Sequence, residues 1–449
     1  MTKKKIFWFL ASILISFFLV LIAVGILFIV NDFSISEYLD RLPSMLRQFI
    51  SAPLFWIFLC LPYLIIRLIR FWVLGYRKGG FSGLTKRFGY SFILPVIIIF
   101  LLVSWSTWHQ NSEQFEYKWD EAAYNTSDIS NRYHFEDQKV RGMHVFGRID
   151  SVRLQKLNSA NIEHIILVPY AYQEDYNSPD VVYNSTNSRR DSAYAEFISA
   201  SKSLGLEVII KPHIWISNPS DGKWRSDIAM ATESEWQQWE KSYTEFILHY
   251  ARLSEEYHLP YFCMGNEFYI STTKRSKFWV SLIDKVRSVY SGKITYGANW
   301  DKEFKEITFW DKLDYIGIQA YFPVADTNYP KYNEVLSGWD PHLSEIDSIS
   351  KIFDRKVIFT ELGYKSTPDA ARYPWGWENF TENIFQQIST KTQAYCYQAF
   401  FEKPWKQEWM AGVMIWQWQT SERDDDGNHN FTPEGKPAIN ELAKGFKSN

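Results

Sequence analysis

The apolar positions of this chain fall into two regimes. Over the first hundred residues they form long unbroken runs: Ile6 to Val30, about 52–74, and Tyr90 to Thr107. At about 1.5 Å per residue such runs approach or exceed the length needed to cross a hydrocarbon core of about 30 Å. They predict three N-terminal transmembrane helices in a membrane anchor over 1–108. Lys3, Lys4 and Lys5 precede the first run as in a signal peptide. That run is longer than a signal core and has no clear small-residue cleavage site, so it reads as an uncleaved helix. Residues 109–138 are polar and aromatic with little periodicity and read as a linker or lead-in.

From 139 the runs become short. A strand-like apolar segment is followed by a polar loop and then, in most units, by an amphipathic helical stretch. The predicted strands are 142–146, 164–170, 206–213, 259–266, 293–299, 313–320, 356–361 and 411–418. Helical stretches fall at 191–204, 233–255, 274–290 and 378–398, and 434–447 closes the series. Alternation of this kind predicts an α/β fold, a (β/α)8 TIM barrel over 139–449.

Charge adds an orientation. The loop between the second and third runs carries Arg77, Lys78, Lys86 and Arg87, with Arg67 and Arg70 adjacent; the loop before the second run has Arg41 and Arg47 offset by Asp32, Glu37 and Asp40. The positive-inside rule then puts the N-terminus and 75–88 in the cytoplasm. Three spans place everything after about 109 on the outer face of the cell membrane, with the lipid bilayer as a partner. If the second run lay only at the interface, the large domain would be cytoplasmic. A net charge of −3 advertises no nucleic-acid face. Aromatics make up 18% of the chain, with 20 Trp; they suit stacking on sugars, and equally a core and a membrane belt. Cys60, Cys263 and Cys396 form neither a disulfide framework nor a metal site and read as buried thiols.

Candidate chemistry lies where strands end. The run Tyr261-Phe262-Cys263-Met264-Gly265-Asn266-Glu267 stops on a carboxylate, and Lys356-Val357-Ile358-Phe359-Thr360-Glu361 does the same. In a TIM barrel the C-terminal rim carries the catalytic groups. The other rim positions are His213 and Trp215 after strand three, Asn299 and Trp300 after strand five, Gln319 and Tyr321 after strand six, and Trp416 and Trp418 on strand eight. Trp416 and Trp418 are read as facing opposite ways, with Trp418 at the sugar. Trp375 and Trp377 line a subsite or merely pack their loop. No strand exit offers a Ser–His–Asp set, and no HxH or HExxH spacing supports a metal at His213, Glu267 and Glu361; neither metal nor cofactor is expected. The acidic run Asp424–Asp426 reads as a solvated turn. Two rim carboxylates are what a retaining glycosidase needs: one ionised to attack C1, one protonated to release the leaving oxygen, about 5–5.5 Å apart.

The Asn-Glu at the end of strand four and the Glu at the end of strand seven resemble clan A glycoside hydrolases, and within that clan the chain is most similar to glycoside hydrolase family 113, known for β-mannanases. The matching stretches are Met264–Glu267, Ile294–Trp300, Leu313–Pro323 and Phe359–Tyr364, and the likeness covers about 140–445. The resemblance implies that Glu267 is the acid/base and Glu361 the nucleophile. It implies that Asn266 binds the sugar 2-OH, Tyr321 orients the nucleophile and Trp418 forms the floor of the −1 subsite, with His213 and Asn299 as polar groups at or behind the subsites. The substrate implied is a carbohydrate of the β-1,4-mannan type. One departure stands out: many clan members carry an arginine on strand two that steadies the nucleophile, and Ile165–Tyr170 has none; Arg148 is a substitute in reach of the sequence alone. That gap, together with a three-span anchor, leaves open a glycan-binding or envelope-assembly protein on a glycosidase barrel; the tether and a glycosyl-enzyme that another sugar can intercept leave open a transglycosylase.

Overall fold

The computed structural model describes residues 53–98, 100, 101, 104, 120–124, 135, 137–147, 151–183, 188–376, 387–419 and 429–448. The chain divides into two compact units, Met1–Trp108 and His109–Asn449. The first apolar run lies outside the described residues, as do most of 109–138, Arg148, Trp377 and Asp424–Asp426.

In the first unit, helix α1 (Pro53–Phe88) carries the second apolar run and is interrupted at Gly79 and Gly80, where φ reaches +58° at Gly80. Only glycine takes such a φ without penalty. The chain doubles back there: Trp72 Nε1 donates to Ser91 Oγ at 2.6 Å, and Arg87 Nη1 to the Phe71 carbonyl at 3.0 Å. Among the described residues no helix is long and apolar enough to cross a membrane.

In the second unit, eight parallel strands close a barrel. Strands β1 (Val140–Phe146), β2 (His164–Leu167), β4 (Glu207–Ile210), β6 (Tyr261–Asn266), β7 (Lys293–Asn299), β8 (Ile316–Gln319), β9 (Val357–Leu362) and β10 (Met410–Gln419) follow one another in chain order, and β10 pairs back onto β1. All eight fall on the predicted segments. The other two, β3 (Tyr170–Gln173) and β5 (His213–Ile216), are continuations of β2 and β4. Pro169 and Pro212 interrupt the ladders because they lack an N–H. The register is unchanged across the gap, from Leu167↔Ile210 to Tyr170↔His213.

The helices on the outside include α2 (Ser188–Ser203), α3 (Glu233–Glu256), α4 (Tyr269–Lys274), α5 (Ser276–Arg287), α6 (Glu303–Glu306), α7 (Thr390–Glu402) and α8 (Pro437–Lys447). Helix α3 starts where Thr232 and Glu235 form a capping box. The stretch predicted over 378–398 begins its described helix only at Thr390, because Ser389 caps it by accepting the Thr392 N–H.

Two cores result from strand alternation. Ile165, Val208, Phe262 and Phe359 belong to the large cluster shared with the helices. Val140, Ile166, Ile209, Ile358 and Met414 form a small separate cluster that fills the barrel. Two residues further along the same strand faces come Gly142, Lys211 and Thr360, and beyond Gly142 comes His144. The inward face therefore turns polar toward the C-terminal rim. At the opposite end buried Arg141 ties the barrel to its last helix, donating to Asp137 at 2.8 Å and to the Phe446 carbonyl at 2.9 Å.

Candidate active site

Both rim carboxylates follow irregularities in their strands. Between Cys263↔Thr295 and Asn266↔Gly297, β6 holds one residue more than β7. Between Ile318↔Phe359 and Gln319↔Glu361, β9 holds one more than β8. Such bulges re-aim the side chains that follow. In β6 the extra residue includes Gly265 at φ +149°, where a Cβ would lie 2.2 Å from the Tyr243 hydroxyl. That close approach lets Tyr243 Oη donate to the Met264 carbonyl at 2.8 Å. Glu267 itself sits at φ +60°, a left-handed conformation that costs a non-glycine residue about 1–2 kcal/mol.

Glu361 is buried and surrounded by donors. Lys211, on the inward face just past β4 and fully buried, donates to Glu361 Oε1. The same ammonium donates to Gln319 Oε1 and the Thr360 carbonyl, each at 3.1 Å. Tyr321 Oη donates to Glu361 Oε2 at 2.7 Å. Burial alone would push the Glu361 carboxyl up; the Lys211 charge and the bonds from Lys211 and Tyr321 outweigh it and hold the group below the ordinary carboxylate value. Two histidines face this cluster uncharged. Burial, then the Lys211 charge, lowers His144 to about 3. Its Nδ1 lies 3.1 Å from the Ile415 carbonyl, which only an N–H can satisfy, leaving the Nε2 lone pair toward Lys211 Nζ at 3.4 Å. Burial, then Lys211 and Arg225, also drives His213 well below its usual value. Its Nε2 is 3.8 Å from Glu361 Oε1, so this contact is not an ion pair.

Glu267 has a different setting. Arg225 Nη2 donates to Glu267 Oε2 at 2.6 Å, and Nη1 donates to His213 Nδ1 at 3.2 Å. One guanidinium thus fixes the Glu267 carboxyl and His213 together, leaving Oε1 of Glu267 without that partner. Glu267, Glu361, His213, Arg225 and Tyr321 all line one cavity of about 710 Å3.

The predicted aromatic and amide positions divide. Trp215 lines the cavity and is 46% exposed; Trp375 lines it as well at 41%, and Trp300 stacks on Trp375 with centroids 5.0 Å apart. Asn266 is fully buried, and neither its amide nitrogen nor its oxygen has a hydrogen-bond partner. Asn299 does not line the cavity; its backbone N–H is taken by Glu303 at 2.9 Å. The reading of Trp418 is corrected. Trp418 is 2% exposed within the large core, and Trp416 lines the cavity in its place, stacked parallel to His213. On a regular strand residues two apart share a face; the extra residue in β10 between Met143↔Ile415 and Val145↔Trp418 separates them.

Sequence reasoning missed Lys211, His144 and Arg225. Lys211 had a visible signal: a lysine directly after Glu-Val-Ile-Ile, in phase with Ile209. Arg225 had none, since it lies in an irregular loop. Among the described residues no group of three or more His, Cys, Asp or Glu is placed to hold a metal ion.

A closed parallel (β/α)8 barrel brings a buried and a half-buried carboxylate together in one aromatic-lined cavity at its C-terminal rim, an arrangement that suits acid–base and nucleophilic chemistry on a sugar. Residues 138–436 match the Glycoside Hydrolase Family 113 model. The chain belongs to glycoside hydrolase family 113 and is a glycoside hydrolase. A solved GH113 β-1,4-mannanase is 28% identical with a TM-score of 0.57, covering 69% of this chain and 99% of that one. A complex structure of a GH113 β-1,4-mannanase is 27% identical over the same shares, also at 0.57. The GH113 β-mannanase AaManA from Alicyclobacillus acidocaldarius, in complex with ManMIm, is 23% identical with a TM-score of 0.58, covering 69% and 97%; that likeness is one of fold. Comparison with curated proteins gave no match.

Proposed function

We propose that the chain is a retaining β-mannanase-type hydrolase that cleaves β-1,4-mannan poly- or oligosaccharides by double displacement. The observation that carries this reading is the unequal treatment of two carboxyls in one cavity. Glu361 takes donors on both oxygens, from Lys211 and Tyr321, which suits an ionised nucleophile. Glu267 takes Arg225 on Oε2 alone, which leaves Oε1 to give a proton to the leaving oxygen and then to accept one from water. Lys211 does the work of the clan arginine absent from strand two, and so removes the reason for preferring a non-catalytic barrel. Buried, unpartnered Asn266 suits the sugar 2-OH, Trp416 the floor of the −1 subsite, and exposed Trp215 and Trp375 more distant sugars. The similarity to GH113 β-1,4-mannanases supports mannan as the substrate.

The test is turnover of β-mannan, glucomannan, cellulose and xylan oligosaccharides, with Glu361→Gln and Glu267→Gln alongside and product anomers followed by NMR. Cleavage of mannan with retained configuration, lost in both variants, is the expected result. Wild-type turnover in both variants sinks the mechanism; binding without turnover in the native chain favours a glycan-binding role.

We further propose that residues 1–108 anchor the enzyme in the cell membrane, with the barrel on the extracytoplasmic side. Support comes from the sequence alone, from the three apolar runs and the lysine and arginine bias of 1–5 and 75–88; the described helices do not add to it, none being long and apolar enough to cross a membrane. Protease digestion of intact cells is expected to remove the barrel; full protection of it would overturn the orientation.

A further inference from the structure

Behind Glu267 lies a carboxylate that the chemistry above does not use. Glu303, the first residue of α6, is fully buried and does not line the cavity. Its Oε1 accepts from Tyr296 Oη at 2.7 Å and Thr272 Oγ1 at 2.9 Å, and its Oε2 from the Asn299 N–H at 2.9 Å. These donors belong to β7, α4 and the exit of β7. Tyr296 has a single hydroxyl proton and gives it to Glu303. Its lone pair is thereby turned toward the Phe268 N–H, which it accepts at 2.6 Å.

Phe268 follows Glu267, the residue held at φ +60°. The peptide before Glu267 is fixed by its own N–H donating to the Gly297 carbonyl at 2.9 Å. The peptide after it is fixed through Phe268 to Tyr296. The Phe268 carbonyl in turn accepts the Thr272 N–H at 2.8 Å, and the Thr272 hydroxyl returns to Glu303. The left-handed turn that aims Glu267 is thus tied to Glu303 by two routes, Phe268–Tyr296 and Phe268–Thr272. A left-handed glutamate persists only where its surroundings over-determine it. Glu303 is itself kept at a cost: burial pushes its carboxyl up to about 7, against the pull of these three donors. The titratable groups around it are Tyr296, Tyr269 and Glu267.

We propose that Glu303 is a positioning residue for the acid/base: by orienting the Tyr296 hydroxyl and Thr272 it holds the strained Glu267 turn in the geometry that delivers a proton to the leaving oxygen. The inference rests on the assignment of Glu267 as acid/base.

The test compares two substrates in the full chain: a β-mannan oligosaccharide, whose leaving group needs the acid, and an aryl β-mannoside with an acidic phenol, which does not. kcat/KM reports the first bond cleavage in each. Small misplacements of catalytic groups cost about 10²-fold. Glu303→Gln, whose amide offers one acceptor oxygen where the carboxylate offers two and which carries no charge to polarise Tyr296, is expected to lose about that factor on the oligosaccharide, and to change little on the aryl glycoside. Tyr296→Phe breaks the same link without touching the carboxyl and is expected to give the same split; it decides the matter if the Glu303 variant does not fold. Equal losses on both substrates, or none, overturn the proposal. Glu267→Gln is run in parallel. If it shows the split and the other two do not, the acid/base assignment stands and the role of Glu303 fails; if it shows no split, the assignment itself fails.

Discussion

Replacing Lys211 by Met isolates the interaction on which the reading of Glu361 depends. Met fills a comparable volume in the fully buried position but removes the ammonium from Glu361 Oε1, Gln319 Oε1 and the Thr360 carbonyl. Breaking a buried ion pair on one side costs about 3–5 kcal/mol, because the other charge is left without compensation. At about 1.4 kcal/mol per tenfold in rate, that is on the order of 10²–10⁴ in kcat if the loss falls on the nucleophile. The sign with pH follows from the depressed Glu361 carboxyl. Held below its unfolded value of 4.5, it contributes stability that is complete above that value and is lost as pH falls through the folded value. Without Lys211, burial is opposed only by Tyr321 and weaker partners, so the carboxyl rises. The acid limb of the kcat profile is then expected to move to higher pH, and the acid-side loss of thermal stability to shrink. The assay is kcat on a mannan oligosaccharide across pH 4–9, roughly the range in which carboxylates and histidines titrate, with melting temperatures in the same buffers. A variant with native kcat and an unmoved acid limb would refute the assignment of Lys211 as the cation of the nucleophile.

Two further outcomes follow from the same geometry. Tyr321→Phe removes one hydrogen bond to a charged group, worth about 1.5–3 kcal/mol, and is expected to lower kcat by about 10–100-fold with little change in KM, measured on the oligosaccharide. Trp416→Ala and Trp418→Ala are expected to separate function from packing. The first raises KM for oligosaccharides while the melting temperature changes less; the second costs about 3–5 kcal/mol of stability, read by denaturant unfolding, and the reverse pattern would show that the two rings have been assigned to the wrong faces.

The sequence by itself determined the barrel and its carboxylates. Each strand is a short apolar run with a clear end, and the order of those ends around a closed parallel barrel follows from chain order, so the sequence puts Glu267 and Glu361 on the same rim. Tyr321 was placed against Glu361 by its family motif, and the structure bonds the two. The assignment of Trp418 changed because it depends on one residue of register. The bulge before Trp418 shifts the later side chains to the other face, and an inserted strand residue leaves no mark in apolar periodicity. Hence Trp416, not Trp418, reached the cavity. The cations lay further from what a sequence can reveal. Lys211 and Arg225 are separated from their carboxylate partners by 150 and 42 positions, and only closure of the barrel brings each within hydrogen-bond reach. Glu303 lies in a polar stretch between two predicted strands, and nothing in the sequence sets it apart. Burial by Tyr296, Thr272 and the turn at Phe268, contributed by three separate segments, is what gives it a role.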